Sequence, residues 1–142
     1  MGRILLWLLA LGAIGAAETT YWEGTWTATG GGTTLGGTWT ARPHQDPTVG
    51  QGAWTLRDGS GRVVASGSWS ARKGEKSWEG TWQARASSGP IYSGTWTARA
   101  PLDSASAFGA MLDRAVEQVV SGSWRDGRGR SGGWSIRCSA AK

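Results

Sequence analysis

Gly24-Thr25-Trp26-Thr27-Ala28 recurs as Gly37-Thr38-Trp39-Thr40-Ala41-Arg42, and the same phrase returns six more times along the chain. The further copies are Gly52-Ala53-Trp54-Thr55-Leu56-Arg57, Gly67-Ser68-Trp69-Ser70-Ala71-Arg72, Gly80-Thr81-Trp82-Gln83-Ala84-Arg85 and Gly94-Thr95-Trp96-Thr97-Ala98-Arg99. Two looser ones follow, Gly122-Ser123-Trp124-Arg125 and Gly132-Gly133-Trp134-Ser135-Ile136-Arg137. The phrase alternates with period two, as a strand with one buried face does. Each Trp shares its face with the Gly two before it and, in most copies, a small or apolar residue two after it. The opposite face carries Thr or Ser beside the Trp and Arg three after it.

Spacing then predicts the pairing. If adjacent copies run antiparallel and each Trp faces the next Gly, Trp26 opposes Gly37, Ala28 opposes Leu35 and Trp22 opposes Ala41. Large residues then meet small ones across the ladder. The same register leaves Gly31-Gly32 as a two-residue turn of a residue type that accepts positive φ. It leaves Gly74-Glu75 between the fourth and fifth copies and Gly127-Arg128-Gly129 between the last two.

The predicted strands are 20–29, 33–42, 49–58, 62–72, 77–86, 91–99, 119–126 and 130–138. Eight short strands at even spacing make an all-β, up-and-down antiparallel barrel or a rolled meander. Uniform Trp-to-Gly pairing, however, accumulates almost no stagger, which a closed barrel needs. The 15-residue spacings therefore either hide a slip or the sheet is shallow and open. One segment interrupts the repeat. Pro101-Leu102-Asp103-Ser104 has the form of a helix start with Asp103 as N-cap. Ala105, Phe108, Met111, Leu112, Ala115, Val116 and Val119 then fall at helical spacing. A helix over about 103–119, within an insertion at about 101–119, is expected to cover one mouth of the barrel, with a plug inside it or a membrane-contacting helix as the sharper readings.

The 142-residue length fits one domain. Arg3 precedes the apolar run Ile4 to Ile14, and Gly15-Ala16-Ala17 follows. Residues 1–17 read as a secretory signal peptide, leaving 18–142 as the mature, secreted or periplasmic domain. An uncleaved anchor is the alternative, but the run is short for a membrane span. Removing Arg3 from the 15 Lys+Arg leaves 14 against 10 Asp+Glu, a net charge near +4. That suits an anionic surface. Cys138 is the single cysteine, so no internal disulfide forms. A passive thiol is expected there, with an intermolecular bridge as the alternative.

Motifs for chemistry are absent. No His or Cys cluster has metal spacing, and the glycines belong to turns and the Trp ladder rather than to a phosphate loop. His44, the only histidine, has no evident nucleophile beside it. Glu23 and Glu79 hold equivalent places on strands expected on opposite sides of the ring, too far apart for a glycosidase pair. The expectation is a non-enzymatic protein without cofactor, metal or nucleic-acid partner.

Trp26, Trp39, Trp54, Trp69, Trp82, Trp96, Trp124 and Trp134 are the expected core. Each indole buries ~150–250 Å², worth several kcal/mol at ~25 cal/mol per Å². A glycan- or lipid-binding aromatic surface is the alternative reading. Inverted faces would give the polarity of an outer-membrane barrel, which the free use of Gly disfavours. Alternate strands end at opposite rims, so Arg42, Arg72, Arg99 and Arg137 collect at one of them. Such a ring can hold phosphate or carboxylate groups, or serve only as a solubilising rim. The leading functional expectation is binding of an anionic amphiphile, anionic lipid or cell-envelope surface by these four arginines. A small apolar ligand or glycan held by the indoles is the second, and a structural, self-associating envelope protein the third.

The repeated Gly-x-Trp over eight strands is similar to that of avidin-like and lipocalin barrels, which bind small apolar ligands inside. More nearly, the architecture of residues 20 to 138 resembles the β-flower proteins, shallow near-symmetric barrels of short repeats likened to the Tubby C-terminal domain. That resemblance implies phospholipid or membrane-surface contact and makes Asp103–Val119 the counterpart of a central helix. It carries no site residue over position by position.

Overall fold

Antiparallel pairing joins every strand to the next and the last to the first, so the sheet closes into an eight-stranded barrel. The structure is a computed structural model, which describes residues 22–99, 107–117 and 119–138. The strands are β1 (Trp22–Gly30), β2 (Thr33–Pro43), β3 (Val49–Arg57), β4 (Val63–Lys73), β5 (Trp78–Ala86) and β6 (Ile91–Ala98). Helix α1 (Phe108–Glu117) follows, then β7 (Val120–Asp126) and β8 (Ser131–Cys138). The segment assigned to the signal peptide, and Asp103 as N-cap, lie outside the described residues. Within them α1 ends sooner than helical spacing alone suggests: Val119 has left the helix and is 50% exposed.

Within hairpins, indole faces glycine. Trp26 lies opposite Gly37, Trp54 opposite Gly67, Trp82 opposite Gly94 and Trp124 opposite Gly132. Gly31 and Gly32 make the first turn at φ 57° and 82°, a combination with the twist that two-residue hairpins need. Between hairpins the rule changes. Trp39 lies opposite Trp54, Trp69 opposite Trp82 and Trp96 opposite Trp124. The expectation of uniform Trp-to-Gly pairing is therefore corrected by two residues at alternate interfaces. The Gly74-Glu75 turn is corrected with it, because Gly74 N–H donates to Ser77 O across a longer loop.

This slip supplies the stagger. Partners followed round the ring run Trp22, Ala41, Gly52, Trp69, Trp82, Gly94, Asp126. The path starts at the beginning of β1 and arrives at the end of β7, having climbed from one rim to the other. Strands so displaced must tilt, and tilted strands close. A bulge at Leu56/Arg57 adds a local bend.

The repeat glycines are required by what occupies the space of their missing side chains. A Cβ on Gly37 would run into the carbonyl oxygen of Thr55, one on Gly52 into that of Thr40 and one on Gly80 into that of Ser70. Those three oxygens point inward and accept indole N–H groups, from Trp26 at 2.8 Å, Trp69 at 3.1 Å and Trp96 at 2.9 Å. Thr29 O does the same between Gly132 and Trp124, at 3.0 Å. Gly and Trp are thus two halves of one device. The bare backbone admits a carbonyl, and the indole satisfies it inside an apolar barrel, where an unpaired polar group would cost stability.

One end of the barrel is filled. Trp22, Trp39, Trp78, Ala41, Ala71 and Ala98 are buried there, and α1 lies across them with Phe108, Leu112 and Ala115 inward. The Phe108 ring sits 5.5 Å from Trp78, 5.8 Å from Trp69 and 6.1 Å from Trp22, centroid to centroid. Gly50 leaves room for it, since a Cβ there would meet the ring. The Trp22 indole N–H donates to the Asp113 carboxylate at 3.1 Å, and the Phe108 amide donates to Pro47 O at 2.8 Å. Ala110 and Asp113 are exposed, so the helix caps the barrel rather than threading it.

Trp78 is only 1% exposed, yet among the described residues its Nε1 meets no acceptor. Trp39 Nε1 meets two, Thr25 O at 3.1 Å and Arg137 O at 3.0 Å. Replacing each by Phe removes similar area but strands acceptors only at Trp39. We expect Trp39→Phe to cost about 1–3 kcal/mol more than Trp78→Phe, read as the difference in urea-unfolding free energy.

Candidate ligand cavity

The opposite half of the barrel is hollow. A cavity of about 320 Å³ runs from a floor formed by Met111 and Leu112 toward the rim of the hairpin turns. Trp26, Trp54, Trp82, Trp124 and Trp134 wall it, and Ala28, Ala65 and Ala84 stand where larger side chains would fill it. The indoles brace one another edge to face across every second strand, Trp26 with Trp54 at 5.5 Å, Trp96 with Trp134 at 5.6 Å and Trp82 with Trp124 at 6.1 Å. Their N–H groups are already committed to backbone oxygens: Trp82 to Thr95 O, Trp54 to Ser68 O and Trp134 to Ser123 O. What faces the hollow is therefore ring carbon.

Of the eight repeat tryptophans, Trp39 alone is buried in the capped end, at 4% exposure. Trp26, Trp54, Trp69, Trp96 and Trp134 pack half-buried against that core, and Trp82 and Trp124 line the cavity. The outer face carries the hydroxyls, paired across strands as Thr27 with Ser135 at 2.7 Å, Thr38 with Thr55 at 2.8 Å and Ser70 with Thr81 at 2.8 Å.

The polar groups of the mouth come from the β7–β8 turn, Asp126-Gly127-Arg128-Gly129-Arg130. Asp126 Oδ1 accepts the Arg128 amide at 2.9 Å and the Arg130 amide at 2.8 Å, and Oδ2 accepts Arg130 Nε at 2.7 Å. Asp58-Gly59-Ser60-Gly61-Arg62 builds the same turn between β3 and β4, with Asp58 Oδ1 holding the Ser60 and Arg62 amides. In both, the second glycine sits at positive φ, 88° at Gly61 and 85° at Gly129, which an L side chain resists. At β7–β8 the Asp is buried, at 7% exposure, and reaches the cavity wall. Arg128 and Arg130 each place the guanidinium carbon 5.0 Å from the centre of the Tyr92 ring, a wall residue.

Burial works to push the Asp126 carboxyl up, but the Arg130 amide, the Arg130 guanidinium and the Arg128 amide outweigh it and hold it below 3.8. A carboxyl lowered on folding contributes stability above its unfolded value and loses it as pH falls through the folded one. The urea midpoint of the wild type should therefore drop progressively below pH 3.8. Asp126→Asn should be less stable near neutrality, and its deficit should shrink over that acid interval. A deficit independent of pH would show that the charge does not matter.

Arg42, Arg72, Arg99 and Arg137 do share one rim, and all are exposed. It is the rim that α1 caps, remote from the mouth. Arg72 there bonds Glu79 at 3.0 Å, and Glu23, Asp46, Glu75, Glu79 and Asp113 all lie toward that end. Among the described residues, the mouth rim carries exposed Arg57, Arg62, Arg85, Arg128 and Arg130 against the acids Asp58 and Asp126, whose carboxylates are engaged by their own turns. Positive charge thus collects at the open end more than at the end counted from the repeat.

His44 Nδ1 accepts the Asp46 amide at 3.1 Å within its loop. Cys138 is buried, and burial pushes its thiol up, which disfavours the thiolate that disulfide exchange needs. Among the described residues no group of His, Cys, Asp and Glu is arranged to hold a metal ion. No family model, curated protein or solved structure matches the chain.

Proposed function

We propose that this protein is a non-enzymatic binder of a small apolar or amphiphilic molecule, taken into the tryptophan-walled cavity. One observation carries the reading: an apolar hollow of about 320 Å³, closed at one end by a helix and open at the other. It falls at the lower end of the ~300–1,000 Å³ span of small-molecule sites. Alanines at 28, 65 and 84 maintain it, where a chain selected only for packing would use larger residues. Secretion into an extracellular or periplasmic space, read from residues 1–17, belongs with this proposal.

Titration with dodecanol, followed by intrinsic tryptophan fluorescence, tests it. We expect a saturable change with one molecule per chain by native mass spectrometry. Ala65→Phe, which fills the hollow, should abolish that change while leaving the far-ultraviolet circular dichroism intact. Equal response in the variant would refute the site.

A second reading keeps the arginines of the capped rim. Arg42, Arg99 and Arg137 are exposed together there, as contact with an anionic lipid or envelope surface would need. Flotation with liposomes should then depend on anionic lipid and be lost at high salt. Absence from both lipid fractions would remove it.

A further inference from the structure

We infer that the ligand of the cavity carries an anionic group, such as a carboxylate or sulfate, seated over Tyr92 between Arg128 and Arg130, with its apolar body among the indoles. The inference rests on the cavity reading and specifies its chemistry.

Three features of the mouth lead to it. First, two guanidiniums converge on one ring at equal distance, 5.0 Å from the Tyr92 centre. With each guanidinium carbon 5.0 Å from that centre, the two are at most about 10 Å apart, near enough to repel, and an anion shared by them relieves the repulsion. Second, the one carboxylate that bonds either of them among the described residues is already engaged. Asp126 is bound by two amides and by Arg130 Nε, and the Arg130 side chain remains 58% exposed beyond that bond. Among the described residues no carboxylate meets the Arg128 side chain. Two cations against one engaged anion leave the lip positive.

Third, the lip is contiguous with the apolar wall. Tyr92, Asp126 and Arg130 line the same cavity as Trp82 and Trp124. A molecule with its head at Arg128 therefore extends its body down to Met111 and Leu112. Both ring faces and terminal guanidinium N–H groups favour this division. The indoles offer carbon alone, so an anionic head deep in the barrel would be unpaired, whereas at the lip it gains charge-assisted bonds. The surrounding cations, Arg57, Arg62 and Arg85, add attraction at a distance.

The test compares dodecanoate with dodecanol, below micellar concentration at pH 8, by tryptophan fluorescence on the full chain. Wild type should bind dodecanoate on the order of tenfold more tightly at low salt, the advantage shrinking as salt rises. Arg128→Glu should erase or invert that advantage, weakening dodecanoate far more than dodecanol, whose hydroxyl carries no charge. Arg62→Glu, the same charge change on the β3–β4 turn, should alter the ratio by no more than about twofold. Equal affinity for the two ligands in the wild type would overturn the anionic head and leave the cavity reading standing. A loss in Arg62→Glu as large as in Arg128→Glu would overturn the seat at Tyr92. Binding of neither ligand would overturn the cavity reading itself.

Discussion

Gly37→Ala should destabilise the barrel by about 3 kcal/mol, while Gly36→Ala, one residue away on the same strand, should change stability by no more than ~0.5 kcal/mol. The two glycines face opposite sides of β2. A methyl group on Gly37 enters the space held by Thr55 O and approaches the Leu56 backbone as well. The β3 backbone must retreat, and the Trp26 N–H then loses its 2.8 Å partner. Overpacking contributes ~1–3 kcal/mol and the lost bond about 1 more. A methyl on Gly36 meets only Trp26 O, at an ordinary 3.6 Å. Against a total stability of ~5–15 kcal/mol, the first change is large enough to move the urea midpoint clearly. Similar midpoints for the two variants would mean that glycine is chosen for flexibility and not for the carbonyl.

Phe108→Ala should cost about 3–5 kcal/mol and undock the helix. Its ring is the wedge between Trp22, Trp69 and Trp78, and is 2% exposed. No neighbour can collapse into the gap, because the strands beneath are fixed by hydrogen bonds on both sides. The tryptophan near-ultraviolet circular dichroism should weaken with the stability, since three indoles lose a packing partner. Ala110→Ser, on the exposed face of the same helix, should leave both unchanged. A Phe108→Ala variant within about 1 kcal/mol of wild type would show that the barrel is self-sufficient and the helix incidental.

How legible this was can be argued from single residues. Trp26 opposite Gly37 and Trp124 opposite Gly132 were readable because a short turn leaves little choice of register. Trp39 opposite Trp54 was not, because the loop from His44 to Thr48 is long enough to permit several registers. That the repeat tryptophans share one face followed from alternation; that this face is the inner one came from the closed ring. The turn pattern shared by residues 58–62 and 126–130 is written in the chain and marks Asp126 as the holder of its own loop. What it conceals is that Asp126 stands on the cavity wall while Asp58 does not line it.

Local periodicity dictated strands, an amphipathic helix, one face of indoles and an opposite face of hydroxyls, because each depends on residues within a few positions of one another. Three-dimensional assembly settled the tilt, the closure of β8 onto β1, the hollow and the mouth. A hollow is the difference between the volume that stagger imposes on the ring and the volume of side chains sent into it. Which rim stays open depends on where α1 lands and where distant acids gather. Both are sums over the whole ring, and no single repeat contains them.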